Sequence, residues 1–339
     1  MTEHLVLSSS SSSSENWKAW DELVDRSPLG TLYHRSSWLV ALALGMHQDI
    51  RVHAVLQEGT FRAGAVLRYG KRYGIRVGRK PWATAYNGIV RDENADPLLV
   101  GELLDRLSRE YHYTRLVHSP GTDGETVSRR GWTVQERATS ILSLSDLDRL
   151  WQSFDRRVRQ RVRKAEAAGV GVGETSEAGV FFDLYRLTYE RQGLPLKLEK
   201  GEVVAAIEAA VDSGSVKVFL ATTSHGDPAA ALVVGADSKR AYFMLAGSHP
   251  VHRKTDAATL LWWNVMQRYA QTHREVDLVG HGVETIDRFK RSFSPRLVPH
   301  PETIRYSAGL GGQILRVSDW ANRHFPRMWA WLRQRGRGR

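Results

Sequence analysis

The spacing of apolar residues in the first half of the chain predicts a hairpin, two helices and a strand. Residues 50–57 and 61–69 are apolar and β-rich, and a short turn containing glycine separates them, which indicates a β-hairpin. Within 96–109 the leucines recur every four positions, as in an amphipathic helix, and 114–118 is typical of a short strand. A helix is also predicted over 15–26, because a Ser-Pro-Leu-Gly turn follows it.

The second half of the chain repeats this order of elements. Strands are predicted at 216–223 and 229–236 on either side of a His-Gly-Asp-Pro turn, and a third strand at 240–246. A helix over 256–270 and a closing strand at 276–279 follow. The two hairpins align on each other, so the pattern indicates a duplicated unit of hairpin, helix and strand.

The chain is long for one hydrophobic core, so two domains are expected. The run of serines near the start predicts a disordered leader over 1–14. The first domain is then expected over 15–145 and the second over 146–310. The remainder, 311–339, is basic and amphipathic and is expected to be a C-terminal tail.

Composition narrows the class of partner more than it narrows the fold. Charged residues make up 25% and apolar residues 42%, which is ordinary globular usage. The net charge of +11 suggests anionic partners such as phosphates, nucleic acid or an acidic membrane surface. The absence of cysteine excludes disulfides, cysteine-ligated zinc and a thiol nucleophile.

Localisation follows from what the chain lacks at the sequence level. No run approaches the roughly 20 apolar residues that a transmembrane helix needs, and the start lacks the basic and apolar regions of a secretion signal. A cytoplasmic protein is therefore expected. Residues 314–331 are amphipathic and rich in aromatics, so contact with an anionic membrane surface and packing on the preceding domain are both open. Pro326 favours packing, because it would interrupt a long interfacial helix.

A dense cluster of cations occupies 156–164, where six of nine residues are basic. Either a solvated helix surface or an anion-binding face explains this pattern. A nucleic-acid surface is a weaker explanation, because no aromatic residues are interleaved for base stacking.

The segment 246–262 runs from a strand through a loop to the start of a helix, where backbone N–H groups can hold a pyrophosphate. It has no glycine at the helix start, and Asp256 there is interpreted as a helix cap. Upstream, Arg191-Gln-Gly193-Leu-Pro195 is explained as a helix end by its glycine and proline.

Three further segments carry candidate chemistry. Lys290 lies between two aromatic residues and is either a surface lysine or a cation for a reaction centre. Tyr86 and Asn87 precede a glycine, so a tight turn and hydrogen bonding to a sugar or peptide are both open. His281 follows a strand end and is explained as a loop residue or a base. The histidines show no metal-binding spacing, so no metal is expected.

Two of these segments together resemble the FemAB-like acyltransferases, a branch of the GNAT superfamily that includes BioF2-like acetyltransferase domains. They are Arg156–Val170, with its Arg-x-x-x-Arg-Lys-Ala-Glu-x-x-Gly-Val pattern, and Glu284–Pro295, with its Phe-Lys-x-x-Phe element. Scattered short matches extend the resemblance over about 17–306. It implies an α/β fold of two tandem GNAT-like domains, each with a mixed central sheet flanked by helices, and a C-terminal helical tail.

The resemblance also implies roles for individual residues. Lys290 would stabilise the charge of a tetrahedral intermediate, which is sound because a fixed ammonium stabilises an oxyanion. Ser294 stands where the family has glycine. The residues expected to bind substrate are Trp38, Tyr86, Asn87, Arg159, Arg163, Lys164, Arg191 and Phe289. The residues expected to bind donor phosphates are His249, Arg253 and Lys254.

The expected function is transfer of an acyl (acetyl) or aminoacyl group to an amine or hydroxyl of a cell-envelope sugar or peptide precursor. Direct attack is expected, because no covalent nucleophile stands out, and no tightly bound cofactor is expected. The absence of a tRNA-binding coiled-coil hairpin favours acyl-CoA as donor, whereas the glycine-free loop favours aminoacyl-tRNA. A different class of function, a non-catalytic basic module on a GNAT fold that binds nucleic acid or anionic lipid, is the alternative.

Overall fold

A computed structural model describes residues 2–9, 13–280 and 282–324 of the chain. Its strands are β1 (Thr2–Ser8), β2 (Ile50–Gln57), β3 (Thr60–Arg72), β4 (Ile75–Arg79), β5 (Ile89–Arg91), β6 (Tyr113–Val117), β7 (Trp132–Ser143), β8 (Gly171–Thr175), β9 (Val216–Thr222), β10 (Pro228–Ala236), β11 (Ala241–Ser248), β12 (Glu275–Asp277) and β13 (Arg296–Tyr306).

Its α-helices are α1 (Ser14–Arg26), α2 (Ser36–Gly45), α3 (Leu98–Glu110), α4 (Leu147–Ser153), α5 (Arg156–Ala167), α6 (Ala178–Arg191), α7 (Lys200–Asp212), α8 (Ala257–Tyr269), α9 (Glu284–Arg291) and α10 (Leu310–His324). Short 3₁₀ helices lie at Leu32–His34 and Val251–Thr255. The hairpins, helices and strands predicted in both halves are confirmed.

One mixed sheet runs through both halves of the described chain. The strand order is β1-β2-β3-β4-β6-β13-β7-β12-β11-β10-β9-β8, and β5 pairs with β3 beside this path. Helices α1, α2, α6 and α7 pack on one face, and α3, α5 and α8 pack on the other. Helices cover both faces of the sheet, so the strands carry apolar residues on both of their sides.

The internal repeat predicted from the two hairpins is confirmed by the strand pairing. In the first half β2, β3 and β4 are antiparallel neighbours, and β4 then runs parallel to β6. In the second half β9, β10 and β11 are antiparallel neighbours, and β11 then runs parallel to β12. Each parallel pair extends over only two residues, so the strands of each pair separate soon after they meet.

The two halves are joined by a strand that crosses back. β13 lies late in the range expected for the second domain, yet it pairs with β6 of the first half and with β7. Its ten-residue register with β7 makes this the central seam of the sheet. The expected boundary between the two domains at residue 145 therefore lies within a continuous sheet. The division into two domains stays a proposal.

The predicted disordered leader over 1–14 is wrong for Thr2–Ser8, which form the edge strand β1. This strand is antiparallel to β2 from Thr2↔Gln57 to Ser8↔Arg51, and Leu7 is fully buried. The physical reason is that β2 would otherwise present an unpaired edge, which the alternating His4-Leu-Val-Leu7 segment can fill. Residues 10–12 of the serine run lie outside the described residues.

The last described helix packs on the first half of the sheet. Leu315 of α10 is buried against Val77, Tyr113 and Ile304. The outer side of α10 exposes large apolar side chains, those of Leu310, Ile314, Val317 and Trp320. The packing predicted for the tail therefore holds for one side of α10 only. Residues 325–339, which include Pro326, lie outside the described residues.

Candidate functional site

The two parallel strands of the second half separate at Asp277, and this opening defines the candidate site. β11 and β12 pair only through Ala241↔Val276 and Tyr242↔Asp277. β11 continues to Ser248, whereas the chain after Asp277 turns towards β7, where the Leu278 N–H donates to the Ser140 carbonyl at 2.8 Å. Backbone groups after Leu278 therefore have no partner strand on the β11 side and can meet side chains instead.

Lys290 of α9 reaches this opening. Its side chain is buried, and Nζ donates to the carbonyl oxygens of Val279, at 2.7 Å, and Gly280. An ammonium has three N–H donors, so within the described chain one donor is left for a ligand. Burial lowers the pKa of Lys290 to about 8, and the carboxylates of Asp287 and Asp277 oppose that shift. The group is therefore mainly charged at pH 7.

Asp277 is a fully buried carboxyl group at the same point of the sheet. One of its oxygens accepts from the Tyr86 hydroxyl at 2.6 Å, and the other accepts from the Thr139 hydroxyl. Burial raises the pKa of Asp277 to about 6, while these two hydrogen bonds and nearby cations hold it from rising further. Two oppositely charged groups with shifted pKa values in one place are typical of a functional site.

Aromatic side chains surround Asp277. Tyr33 lies between Tyr86 and Tyr242, with ring centroids 5.9 and 5.1 Å away. The ring of His300 meets the other side of Tyr86 at 5.4 Å. The Tyr33 hydroxyl is buried and has no hydrogen-bond partner within the described chain, which is unusual for a buried polar group. These rings come from both halves, so the site is built at the seam.

A second cluster forms where β11 leads into α8. The Ser248 N–H donates to the Thr188 hydroxyl at 2.9 Å, and the Arg191 guanidinium donates to the Ser248 hydroxyl at 3.3 Å. Burial and the nearby charge of Arg253 lower the pKa of Arg191. The rings of His249 and the adjacent His252 lie 5.0 Å apart. The structure thus brings together four of the residues predicted for substrate or donor phosphate, Arg191, His249, Arg253 and Lys254.

Asp256 does not cap α8, so that interpretation of the sequence is wrong. Its backbone is in the left-handed region with φ of +58°, and its side chain makes no hydrogen bond to the helix N–H groups. Its carboxylate accepts from Lys164 at 2.8 Å and lies 3.6 Å from Arg161, because α5 packs beside the start of α8. These two cations neutralise Asp256, and the positive end of α8 keeps its preference for an anion.

Three residues predicted to bind substrate make structural hydrogen bonds. Trp38 is buried in the core and donates to the Thr84 hydroxyl at 3.1 Å. Asn87 is fully buried, and its side chain bonds the backbone of Val66, Arg115 and Val117. Arg159 donates to carbonyl oxygens at the end of α4, including that of Gln152 at 2.9 Å, and so closes that helix. The polar side-chain groups of Trp38 and Asn87 are thus used within the protein, whereas Arg159 uses only Nη1 in these bonds, so its role in binding substrate stays a prediction.

The other predicted residues fall into two groups. Phe289 is half-buried and packs edge-on against Trp262 and Phe293, next to Lys290. Tyr86 contacts Asp277 directly, as described above. Arg163 is exposed on α5. The Lys164 ammonium donates to the Asp256 carboxylate and to the Lys254 carbonyl. His281 lies outside the described residues.

Within the described chain, no group of three or more acidic or histidine side chains is close enough to hold a metal ion.

Sequence reasoning missed the carboxyl group at the centre of the site. Asp277 is the charged residue in the otherwise apolar stretch Val276–Val279, and a charged residue among apolar neighbours is a signal that could have found it. Thr139, Tyr33 and His300 carry no such signal, because they lie at least 23 positions in sequence from Asp277 and meet it or its tyrosine only in the fold.

Comparison with known proteins agrees with this geometry. Residues 152–291, which contain the opening, Lys290 and the start of α8, match the family described as an acetyltransferase (GNAT) domain. A search of curated proteins by sequence finds no match. The second half of the chain therefore carries a domain of the GNAT acetyltransferase type.

Solved structures extend the likeness to the whole chain. FemX is similar with a TM-score of 0.72 at 15% identity, covering 93% of this chain and 99% of that one. The C-terminal domain of a putative lysylphosphatidylglycerol synthetase from Agrobacterium fabrum gives 0.59 at 12% identity, covering 92% and 98%. A tandem GNAT protein from the clavulanic acid biosynthesis pathway gives 0.52 at 12%, covering 91% and 99%. These likenesses show the fold: along most of its length the chain folds like a tandem GNAT structure, as the resemblance implied.

Proposed function

We propose that this protein transfers an acyl or aminoacyl group to an amine or hydroxyl, with the reacting carbonyl held beside Lys290. The observation that carries the proposal is the buried Lys290 ammonium where β11 and β12 separate, with one donor left for a ligand. A fixed cation in a site shielded from water stabilises a developing oxyanion at little reorganisation cost. Lys290 is the catalytic residue of this proposal.

The reaction needs no covalent intermediate on the protein. The lone pair of the acceptor attacks the thioester or ester carbonyl carbon, and the carbonyl oxygen becomes an oxyanion that accepts from Lys290. The intermediate collapses as the bond to the thiolate or alkoxide breaks. The proton that the acceptor loses ends on the leaving group, so an amide or ester and a thiol or alcohol result. The protein contributes positioning and electrostatic stabilisation.

The donor is proposed to be an acyl-CoA thioester, with aminoacyl-tRNA as the second candidate. Arg191, Arg253 and Lys254 lie at the positive end of α8, where phosphate groups are favoured. Neutralisation of Asp256 by Lys164 and Arg161 removes the charge that would repel them. The same cations would favour a tRNA phosphate, so the donor has to be decided by titration.

The acceptor is proposed to be a cell-envelope precursor. This proposal follows the names of the structural neighbours, FemX and the lysylphosphatidylglycerol synthetases, the second of which names an aminoacylated anionic lipid as its product. An acceptor of this kind would be met in the cytoplasm, so the proposal includes a cytoplasmic location with contact at the inner face of the membrane. Within the described residues, no helix has the length and hydropathy of a bilayer span.

Helix α10 supports the proposal of membrane contact. It exposes Leu310, Val317 and Trp320 along its outer side, and the sequence that follows is rich in arginine. An exposed apolar stripe with adjacent cations suits an anionic lipid surface.

Titration with acyl donors tests the proposed function. A ligand that binds the native state raises its melting temperature, so acetyl-CoA, longer acyl-CoAs and free CoA should each shift it in a saturable way. The double variant R253Q/K254Q should lose most of the shift. The matched control K217Q/R268Q removes two exposed cations that pair with Glu174 elsewhere in the second half, and it should keep the shift. No shift at millimolar CoA would reject the CoA donor, and a shift with aminoacyl-tRNA would then select the second candidate.

A further inference from the structure

The two halves of the sheet differ at the places that the internal repeat makes equivalent. In the second half β11 continues along β10 from Ala241 to Ser248, and the chain after β12 leaves it at Asp277. In the first half the equivalent strand is interrupted, because β4 ends at Arg79 and β5 then takes its place along β3. Residues 80–88 connect these two strands and are called the β4–β5 segment below.

The end of the β4–β5 segment closes the opening of the first half. The side-chain amide of Asn87 donates to the Arg115 carbonyl at 3.2 Å, and its oxygen accepts from the Val117 N–H at 2.9 Å. The backbone N–H groups of Asn87 and Gly88 both donate to the Val117 carbonyl at 2.9 Å. On its other side Asn87 bonds Val66 of β3. β6 is therefore joined to β3 at the level where the second half is open.

Charge also distinguishes the two halves at the helix that follows each opening. The residues before α8 include Arg253 and Lys254, whereas those before α3 include Asp92, Glu93 and Asp96. Carboxylates at this place occupy the position that favours an anion, and they repel phosphate groups. A donor with phosphate groups is therefore favoured at the second half.

Tyr86 extends from the β4–β5 segment across the seam between the halves. Its buried ring packs edge-on against Tyr33 and His300, with ring centroids 5.9 and 5.4 Å away. Its hydroxyl donates to the Asp277 carboxylate at 2.6 Å. Because the adjacent Asn87 is hydrogen-bonded on both sides, the position of Tyr86 is fixed relative to the sheet.

Asp277 connects Tyr86 to Lys290. Thr139 donates to the second oxygen of the Asp277 carboxylate, so hydroxyl groups hold both oxygens at the point where β12 ends. Two residues further along the chain, the Val279 carbonyl accepts from the Lys290 ammonium at 2.7 Å. The charge of Asp277 also favours the charged form of that ammonium.

We infer that Tyr86 is a positioning residue of acyl transfer, which the β4–β5 segment presents to the reaction centre of the second half. It acts through Asp277, because its hydroxyl keeps the carboxylate charged and in place, and the carboxylate supports the Lys290 ammonium. This inference rests on the proposed acyltransferase function and adds a task for the first half. The place that receives the donor in the second half thus serves, in the first half, to support the reaction centre.

Kinetic measurements on Y86F test this role. The variant keeps the ring and removes a hydrogen bond to a charged group, so kcat should fall by about tenfold at pH 8, the region in which Lys290 titrates. The KM for acetyl-CoA should stay unchanged, because the cations proposed to hold the donor are untouched.

The matched control is Y111F. It also removes a buried tyrosine hydroxyl of the first half, one that is hydrogen-bonded to His53 at 2.7 Å. The melting temperature should fall to a comparable extent in both variants, whereas kcat should fall in Y86F alone. A role of Tyr86 in packing only would not separate the two variants in this way.

Titration of Lys290 by NMR gives a second readout that needs no donor. In Y86F the Asp277 carboxyl should be protonated at higher pH, since a hydrogen bond to its charged form is lost. Lys290 then loses a favourable charge near neutral pH and should titrate at lower pH than in the wild type, whereas Y111F should titrate like the wild type. Isotope-labelled lysine reports this, and K290A identifies the resonance. The other titratable or charged side chains near Asp277 or Lys290, which Y86F leaves unchanged, are those of Tyr33, Arg240, Tyr242 and Asp287.

The two readouts separate the inference from the proposed function. If the wild type transfers no acyl group while Lys290 still titrates at lower pH in Y86F, the proposed function fails and the coupling of Tyr86 to Lys290 stands. Wild-type kcat in Y86F, an unchanged titration of Lys290 in Y86F, or an equal fall of kcat in Y111F would overturn the inference.

Discussion

The proposed mechanism depends on one lysine and one aspartate. Lys290 and Asp277 are both buried, and their pKa values move towards each other, to about 8 and about 6. Both groups are therefore ionised in the interval between these values. Within it the site presents a cation to a developing oxyanion while its carboxylate stays bound to Tyr86 and Thr139.

The buried Asp277 carboxyl predicts a measurable dependence of stability on pH. Its folded pKa of about 6 lies above the ordinary value of 3.8, so the folded state binds the proton more tightly than the unfolded state. The free energy of unfolding of the wild type, relative to D277N, should therefore fall as pH rises from about 4 to about 6. The shift in pKa corresponds to about 3 kcal/mol. Urea unfolding of both proteins across this range measures the difference.

A second variant checks that the dependence arises from Asp277. Y86F removes a hydrogen bond that favours the charged carboxylate, so the decline should extend to higher pH. A difference between the wild type and D277N that does not change with pH would show that Asp277 has an ordinary pKa.

At the scale of elements, the sequence pattern predicted those helices and hairpins that depend on interactions between residues close in sequence. The two hairpins, helix α3 and helix α8 follow from apolar spacing and turn residues, and the repeat follows from aligning the two halves. For Trp38, Asn87 and Arg159 the sequence predicted substrate binding and did not predict the hydrogen bonds that they make. Each role depends on a hydrogen bond or a buried contact that only the assembled fold creates.

Non-local pairing accounts for the elements that the sequence did not reveal. β13 inserts between β6 and β7, which are far from it in sequence, so no local pattern could announce it. β1 was missed for a different reason, because the serine run that follows it dominates the composition of the start.

The edge strand β1 predicts a stability cost that a disordered leader would not have. Leu7 is fully buried against the core, so L7A should lower the free energy of unfolding by about 3 kcal/mol, as for other buried leucines. Glu3 is exposed on the same strand, and E3A should change stability by no more than about 0.5 kcal/mol. Chemical denaturation of the two variants measures both. If L7A unfolds at the same urea concentration as the wild type, β1 does not pair in solution.

At the scale of the whole molecule, the continuous sheet makes the two halves one working unit. Tyr33 and Tyr86 of the first half meet Asp277 and Tyr242 of the second half at the seam. Helix α2 approaches α7 so closely that a Cβ on Gly45 would lie 2.1 Å from the Ala206 nitrogen. The two halves therefore keep a fixed relation across this seam.

The net charge of +11 is also explained at this scale. Several acidic residues form ion pairs with lysine or arginine, among them Asp256, Asp319 and Glu302. Cations outside these pairs include Arg253 at the start of α8 and Arg163 on α5. A basic composition alone left nucleic acid, lipid and phosphate open, whereas the cations at the start of α8 favour a phosphate at the proposed donor site.

The rate of acyl transfer by K290A beside the wild type tests the central proposal most directly. Acetyl transfer from acetyl-CoA to a panel of phosphorylated envelope precursors would be followed at pH 7, below the pKa of about 8, where Lys290 is charged. Loss of an oxyanion donor should lower kcat by about 100-fold to 1,000-fold, while the melting-temperature shift with acetyl-CoA persists. K290A that binds acetyl-CoA and transfers the acetyl group at the wild-type rate would contradict the assignment of Lys290.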